Sequence, residues 1–436
     1  MRSDESTHTF VSSKQKNMLR IKHPYIILAL LTAAYTLSFM DRYVLNLLLN
    51  DVKRDFQLSE MQAGLIAGAG FAVLYALMAL PMGVIADRGS RTRLAAIGIG
   101  LWSAVTMLCG LAGNFVQLLL CRTGVGIGEA TLTPAAYPTI KALFSSRRLS
   151  TAIGIYSAGI YIGSGLAYWL GGKTLLYIKS HNLIQQFSFV KYDWQLVFFL
   201  FGIPGLVLAL LIFQIKTPEA SSGSNKFNSA AFKSFITENN YRFLKLCLAS
   251  ALFNVAVYAA GVWLPVYLQR VQHMDIATSG KVLGAAMIFI APIGAIAGGM
   301  IGDRLNISRG IRGRITAIIS AIAAIMICFI MLAIQLPSSV SLAPLFLLSM
   351  LLSMPVAITA AMIQELSPDN MRSTAPAFML MLQNLIGMSL GPSLVAALTQ
   401  YVFHNDMSVG ISIAIIGATF CTLSIFLFHH TQKQIQ

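Results

Sequence analysis

The chain has 436 residues, of which 56% are apolar and only 11% charged, with a formal charge of +15. A soluble domain carries about a quarter charged residues, so water is not the main solvent of this chain. Its basic residues sit in short segments between apolar runs and not on one aromatic-studded face, which argues against a nucleic-acid surface, and its five cysteines stand singly without CxxC or Cys/His spacing, which argues against a disulfide framework or a zinc site.

Apolar runs of about 20 residues, enough to cross roughly 30 Å of hydrocarbon as a helix, recur from Pro24 to Phe428. Helices are the expectation because an open strand cannot satisfy its backbone polar groups in lipid. Twelve spans are predicted, over 25–50, 60–86, 93–111, 115–138, 150–171, 194–214, 246–270, 279–301, 314–336, 340–364, 374–400 and 407–428. Met1 to Lys22 is polar and lacks the apolar core of a secretory signal, so the first span is expected to insert the chain. Lys216 to Arg242, rich in Ser, Asn and Lys, divides the spans six and six. The predicted organisation is a tail 1–24, a six-helix bundle 25–215, a linker 216–245, a second bundle 246–428 and a tail 429–436. With the N-terminus inside, the inner segments hold 22 Lys and Arg and the outer loops 7. That bias predicts a multi-pass inner-membrane protein with both termini cytoplasmic.

In chain order, span one carries Met40-Asp41-Arg42-Tyr43. Span two carries Tyr75 and closes on Gly83-Val84-Ile85-Ala86-Asp87-Arg88, followed by Arg91 and Arg93. Span four holds Arg122 and Glu129, seven residues and so about two turns apart on one helical face. Ionisable groups at membrane depth cost about 2.5–3.5 kcal/mol each on insertion scales and usually face a cavity or each other. Asp41 and Glu129 lie about 15 and 21 Å from the outer ends of their spans, deep enough to share a layer. In span seven Asn254 and Tyr258 share a face, with Trp263 beyond them. Span eight closes on Gly299-Met300-Ile301-Gly302-Asp303-Arg304, followed by Arg309, Arg312 and Arg314, the signature of span two repeated at the same place. Glu365, near the inner end of span ten, reads as a solvated helix end, and span eleven carries Gln383 and Asn384. Walker A, HExxH and GxSxG patterns are absent, so neither an enzyme nor a cofactor is expected. Repeated halves with internal charges fit a rocking carrier better than a fixed pore.

The doubled G-x-x-x-D-R with its basic followers, the Arg122-Thr123-Gly124-Val125-Gly126-Ile127-Gly128 run and the glycine-rich span five resemble the major facilitator superfamily along nearly the whole chain. Within it, Met40-Asp41-Arg42-Tyr43, Trp102-Ser103-Ala104-Val105-Thr106 and Gly126-Ile127-Gly128-Glu129-Ala130 resemble the Spinster family of lipid-type transporters. Span five, Gly154 to Gly172, has no proline in its glycine pattern and departs from the usual antiporter motif. Its glycines, and those of Gly387-Met388-Ser389-Leu390-Gly391-Pro392 in span eleven, read as sites of close helix packing. The resemblance implies an all-α membrane protein of twelve transmembrane helices in two six-helix bundles related by pseudo-two-fold symmetry, with spans one and four lining a central cleft. It also implies that Asp87, Arg88, Arg91, Asp303 and Arg304 form a gating latch on the cytoplasmic side.

Arg42 and Arg122 are read as fixed positive charges for an anionic head group, since a guanidinium forks onto a carboxylate or phosphate. Asp41 and Glu129 are read as proton carriers, because burial and a neighbouring arginine pull on a carboxylate's proton in opposite directions. The plain alternative is a structural cluster of acids and bases that neutralise each other. Tyr75, Asn254, Tyr258, Trp263, Gln383 and Asn384 complete the expected substrate wall, although interhelical hydrogen bonding accounts for Asn and Gln equally well. The predicted function is secondary transport by a monomer working through alternating access, proton-coupled, of an amphipathic or organic anion such as a lysolipid or lipid-like phosphate. Hydrophilic organic acids and multidrug export are the competing readings.

Overall fold

A backbone surrounded by lipid must satisfy its own polar groups. Every regular element is helical among the residues that the computed structural model describes, which are 23–58, 62, 65–66, 70–187, 190–215, 229–334 and 338–434. The predicted tail up to Lys22, the polar run 216–228 and much of the start of span two lie outside them. The first half comprises α1 (Pro24–Phe56), α2 (Gly70–Arg88), α3 (Arg91–Cys109), α4 (Phe115–Glu129), α5 (Leu132–Leu143), α6 (Leu149–Ser180) and α7 (Asp193–Phe213). The second comprises α8 (Ser229–Arg270), α9 (Ile276–Ala285), α10 (Ala291–Arg309), α11 (Ile311–Ala333), α12 (Ser338–Leu366), α13 (Thr374–Leu382), α14 (Ser389–Ala397) and α15 (Val409–Gln434).

Among the described residues, ten helical stretches are long and apolar enough to cross a membrane. They count α9 with α10, and α13 with α14, as continuous spans; α2 and the α4–α5 pair stand beside the ten. The joints inside those two spans are π turns, Ala286–Ile290 and Gln383–Met388. The predicted span four is one helix, whereas the chain breaks after Glu129. Pro134 has no N–H to offer the carbonyl of Ala130, and its ring crowds that oxygen. The Thr131 hydroxyl turns back to the Gly128 carbonyl at 2.8 Å, and a new helix starts at Leu132.

The helices sort their faces by neighbour. On α7, Trp194, Phe198, Phe201, Leu208 and Ile212 are buried, while Leu200, Ile203, Val207 and Leu210 are exposed at helical spacing, the pattern of a span with protein on one side and lipid on the other. Small residues let backbones approach at the crossings. A Cβ on Gly159 would lie 2.9 Å from the Thr32 carbonyl oxygen of α1, and one on Gly391 2.5 Å from that of Val255 on α8.

One predicted boundary moves. α8 begins at Ser229, inside the expected linker, and turns at Tyr241, whose φ is +59°. Phe232, Phe235 and Ile236 form an i, i+3, i+4 apolar stripe on that first stretch. Phe235 packs on Phe243 with ring centroids 4.6 Å apart, and Phe232 packs edge-on against Phe378 of α13 at 5.6 Å.

Candidate functional site

The four charges predicted inside spans one and four meet in one cluster. Ser38 and Arg42 are one turn apart on α1 and both turn toward the last residue of α4. Arg42 Nε donates to Glu129 Oε2 at 2.5 Å, and the Ser38 hydroxyl donates to the same oxygen at 2.7 Å. Glu129 therefore sits where the negative end of the α4 dipole disfavours it, and Arg42 compensates. Asp41 faces the other way: its Oδ2 accepts from the Thr106 hydroxyl at 3.2 Å, and Arg122 Nη1 donates to its backbone carbonyl at 3.3 Å. Asp41, Arg122 and Glu129 are all at most 2% exposed. Asp41 Oδ1, Glu129 Oε1 and Arg42 Nη2 make no hydrogen bond among the described residues.

Aromatic rings enclose Arg42. Its guanidinium carbon lies 4.5 Å from the ring centroid of Phe39, 4.7 Å from Phe71 and 4.3 Å from Tyr75, a setting in which ring quadrupoles hold a partly dehydrated cation. Its side chain keeps 18% exposure, because its open edge looks into a cavity of about 1130 Å³ between the two halves. Among the described residues, Arg42 alone of the four cluster charges reaches the cavity wall. Arg122, predicted to touch an anion directly, lies behind that wall and braces α1.

The opposite wall comes from the second half. Asn254, Tyr258, Gln383 and Asn384 all line the cavity, and each is also tied to a neighbour. The Tyr258 hydroxyl donates to Asn384 Oδ1 at 2.8 Å, Asn254 donates to the Ser250 carbonyl at 2.9 Å, and Gln383 donates to the Ser250 hydroxyl. The π turn Gln383–Met388 starts at these two polar residues, as π turns often do at functional sites. Trp263 is turned away from the cavity, with Nε1 donating to the Pro392 carbonyl at 3.0 Å. Tyr75 lines the cavity as well as stacking on Arg42.

Sequence reading passed over the tyrosines. Tyr35, Tyr43, Tyr137 and Tyr161 line the cavity, and Tyr35 stacks on buried Tyr156 with centroids 4.4 Å apart. The signal was present in Tyr35, Phe39, Arg42 and Tyr43, a stripe at helical spacing.

At the end of the molecule that bears Arg88, Arg93, Arg304 and Arg309, here the basic side, the halves are pinned together twice. Asp87 at the end of α2 accepts from the backbone N–H of Ser373 and Thr374 at 2.7 and 2.8 Å and from the Thr374 hydroxyl at 2.7 Å. Asp303 on α10 does the same with Ser150 N–H at 3.0 Å, Thr151 N–H at 2.8 Å and the Thr151 hydroxyl at 2.7 Å. Each carboxylate thus caps the N-terminus of a helix from the other half, where unpaired N–H groups and the dipole favour negative charge. The motif glycine one turn earlier permits the approach: a Cβ on Gly83 would lie 2.8 Å from that of Ala377, and one on Gly299 2.8 Å from Thr151 Cα.

The two contacts differ in their cations. Arg91 approaches Asp87 at 3.6 Å, whereas fully buried Arg314 holds Asp303 at 3.2 Å and also binds Glu365. Glu365, with Lys141 of the first half 3.9 Å away, is not a solvated helix end; Arg314 and Lys141 draw it inward. Arg88 and Arg304 are exposed and take no part in either contact. From the pinned side the cavity extends past Arg42 to Gln269 and Lys281, near the far ends of their helices, so the protein is closed on the basic side and open toward the other.

The chain is 28% identical over 384 residues to an MFS-type efflux pump of Mycolicibacterium smegmatis, which covers 84% of this chain and 82% of the pump. It is 27% identical to protein spinster of Drosophila melanogaster, over 85% of this chain and 61% of that one, and 25% identical to a sphingosine-1-phosphate transporter of Danio rerio, over 88% and 77%. Among solved structures, the transporter FucP in its outward conformation matches with a TM-score of 0.72 at 19% identity over 95% of this chain and all of its own. A bacterial homologue of the human lysosomal transporter Spinster, inward-facing and occupied, matches at 0.62 and 24% identity over 95% and 98%; both have this fold. The family model of the Major Facilitator Superfamily matches residues 31–392, from α1 to α14. The chain therefore belongs to the Major Facilitator Superfamily and is a secondary transporter.

Proposed function

We propose that the protein carries an amphipathic organic anion, a lysolipid or lipid-like phosphate, by proton-coupled alternating access, with the basic side and both termini in the cytoplasm. The observation that carries this reading is the charge of the cavity wall. Among the described residues its charged members are Arg42 and Lys281, and the rest of the wall is largely aromatic and aliphatic with a few amides and hydroxyls. Such a wall attracts a negative head group and keeps an apolar tail company. The name of the zebrafish relative, a sphingosine-1-phosphate transporter, agrees with that class of cargo. The efflux pump among the relatives supports export, and with it the multidrug exporter, as the second reading.

Arg42 is the hinge of the coupling. Its Nε holds Glu129, while its side chain, 18% exposed, also lines the cavity. An anion arriving from the cavity competes with Glu129 for the same cation. A carboxylate left in a dry site without its cation is most cheaply kept there as the acid, so cargo binding and proton uptake at Glu129 are linked. Asp41 is the second proton site in this reading, held by Thr106 and steadied by Arg122 through α1. Asn254, Tyr258, Gln383 and Asn384 orient the cargo from the opposite wall, in company with Tyr75. The first bundle, 25–215, and the second, 246–428, rock about this cavity within a monomer.

Asp87 and Asp303 are latches that hold the cytoplasmic side shut, assisted by Arg91 and Arg314. Asp303→Asn removes a charge that accepts from two backbone N–H groups and pairs with Arg314. Hydrogen bonds to charged groups contribute about 1.5–3 kcal/mol each, so cytoplasmic opening should rise by about tenfold or more. In a variant whose native cysteines are replaced, maleimide labelling of Ala295→Cys from the cytoplasmic side should accelerate correspondingly; an unchanged rate would remove Asp303 from the latch. The function itself is tested in proteoliposomes under an imposed pH gradient, comparing a lysophosphatidate, a polycarboxylate and a cationic dye. Gradient-driven movement of the first is expected. Movement of the polycarboxylate in its place would sink the reading.

A further inference from the structure

A pocket of about 430 Å³ lies on the basic side, apart from the central cavity, between the start of α1 and the turn that joins α5 to α6. That volume falls within the roughly 300–1,000 Å³ of small-molecule sites. Tyr25, Phe144, Ser145, Arg147 and Arg148 line it, and among the described residues no acidic side chain does. The exposed Arg147 side chain makes no hydrogen bond or ion pair among those residues. Arg148 Nη1 donates to the Tyr25 hydroxyl at 3.3 Å, which leaves the rest of its guanidinium and the tyrosine's own proton unused. The Tyr25 ring stands edge-on to Phe144 with centroids 5.4 Å apart. The turn is fixed from behind by the second half: Arg314 Nη2 donates to the Ser146 carbonyl at 3.0 Å, and Asp303 caps Ser150 and Thr151. From the pocket, Tyr25, Ile26, Ala29 and Ala33 run along α1 as an exposed stripe at helical spacing.

We infer that this pocket seats the phosphodiester head group of an anionic lipid of the basic-side leaflet, with the acyl chains lying along the α1 stripe. Two guanidiniums fork onto the phosphate oxygens, and the Tyr25 hydroxyl donates a further bond. Basic pockets at helix ends suit such head groups, and an anionic leaflet supplies them at high local concentration. Phosphatidylglycerol fits and phosphatidylcholine does not, because the choline cation of the second meets two arginines with no acid beside them. A tyrosine is well placed at this level, with its ring at the acyl boundary and its hydroxyl among the head groups. A turn already held by Arg314 loses little freedom when the lipid arrives, which favours binding. None of these groups lines the central cavity, so the seat does not depend on the cargo.

The test uses the full chain in nanodiscs of equimolar dioleoyl phosphatidylglycerol and dioleoyl phosphatidylcholine. A benzophenone amino acid at Ile26 should crosslink the anionic lipid at least tenfold in excess, read as intact-mass adducts. The same probe at Leu210, a lipid-facing site near the basic-side end of α7 that is 68% exposed, should label the two lipids within twofold of each other. Arg147→Gln and Arg148→Gln should each lower the excess at Ile26 about fivefold, the usual gain from one basic residue at an anionic surface, and leave Leu210 unchanged. Arg147→Lys, which keeps the charge, should lower it less than Arg147→Gln. An excess at Ile26 no greater than at Leu210, or one that survives both glutamine variants, is bulk lipid contact and overturns the inference. Millimolar glycerol 3-phosphate, a head group without chains, should leave the excess at Ile26 intact. Loss of the excess under that competitor marks a site for soluble phosphate esters and overturns the lipid assignment.

Discussion

Arg42→Ala is expected to reduce transport of an anionic amphiphile by about two orders of magnitude and to destabilise the protein, because it strips a buried carboxylate of its cation. Breaking a buried pair by removing one partner costs about 3–5 kcal/mol, and Glu129 would retain only the Ser38 hydroxyl on its bonded oxygen. The stability loss and the transport loss have different origins and can be separated. Arg42→Ala combined with Glu129→Gln leaves no stranded charge, so thermal stability should largely return while transport does not. Arg42→Lys keeps the charge but loses the planar stack on Phe39, Phe71 and Tyr75; an ammonium also cannot fork to Glu129 and a cargo anion at once. It should transport at about a tenth of the wild-type rate, the size of a loss of roughly 1.4 kcal/mol in the rate-limiting interaction. The measurement is initial uptake in proteoliposomes beside a detergent melting curve. Wild-type uptake by Arg42→Ala would end the case for Arg42 as the head-group site.

Glu129→Gln should separate cargo movement from proton movement. The amide preserves shape and keeps an oxygen for the Ser38 hydroxyl, but it cannot take up or release a proton. Exchange of labelled for unlabelled cargo across the membrane should persist within a few-fold. Cargo-driven alkalinisation should fall at least tenfold, and cargo uptake should lose its dependence on an imposed pH gradient. A pH electrode and a trapped pH dye read these quantities directly. If Glu129→Gln still moves protons in full, the coupling group is not Glu129, and Asp41→Asn becomes the decisive variant.

The fold was readable because its signals are local or repeated. Apolar runs locate helices, and Gly83 to Arg88 and Gly299 to Arg304 mark the same joint twice. Depth was readable too, since rise per residue converts numbering into distance. What the sequence hid was azimuth. Spans such as α7 are apolar on every side, so nothing in their own residues tells which face meets protein. That is why Arg42 and Arg122 looked alike: the first turns to the cavity and the second to a backbone carbonyl, and the difference comes from Glu129 and Asp41, distant in sequence. Glu365 misled for the same reason, its partner Arg314 lying on another helix. The break after Glu129 and the helix before Tyr241 were different, because Pro134 and the Phe232, Phe235, Ile236 stripe announced both.

The widened turn at Gln383–Met388 holds one more residue than an α turn would. Loss of a single codon there would return the span to ordinary pitch, with α13 and α14 keeping their bearings while the groups inside the turn change theirs. Asn384 would leave its present bearing, and Tyr258 would be the first group to lose its partner. Cargo preference in this chain is thus open to change by shortening, with no side chain on the opposing wall exchanged.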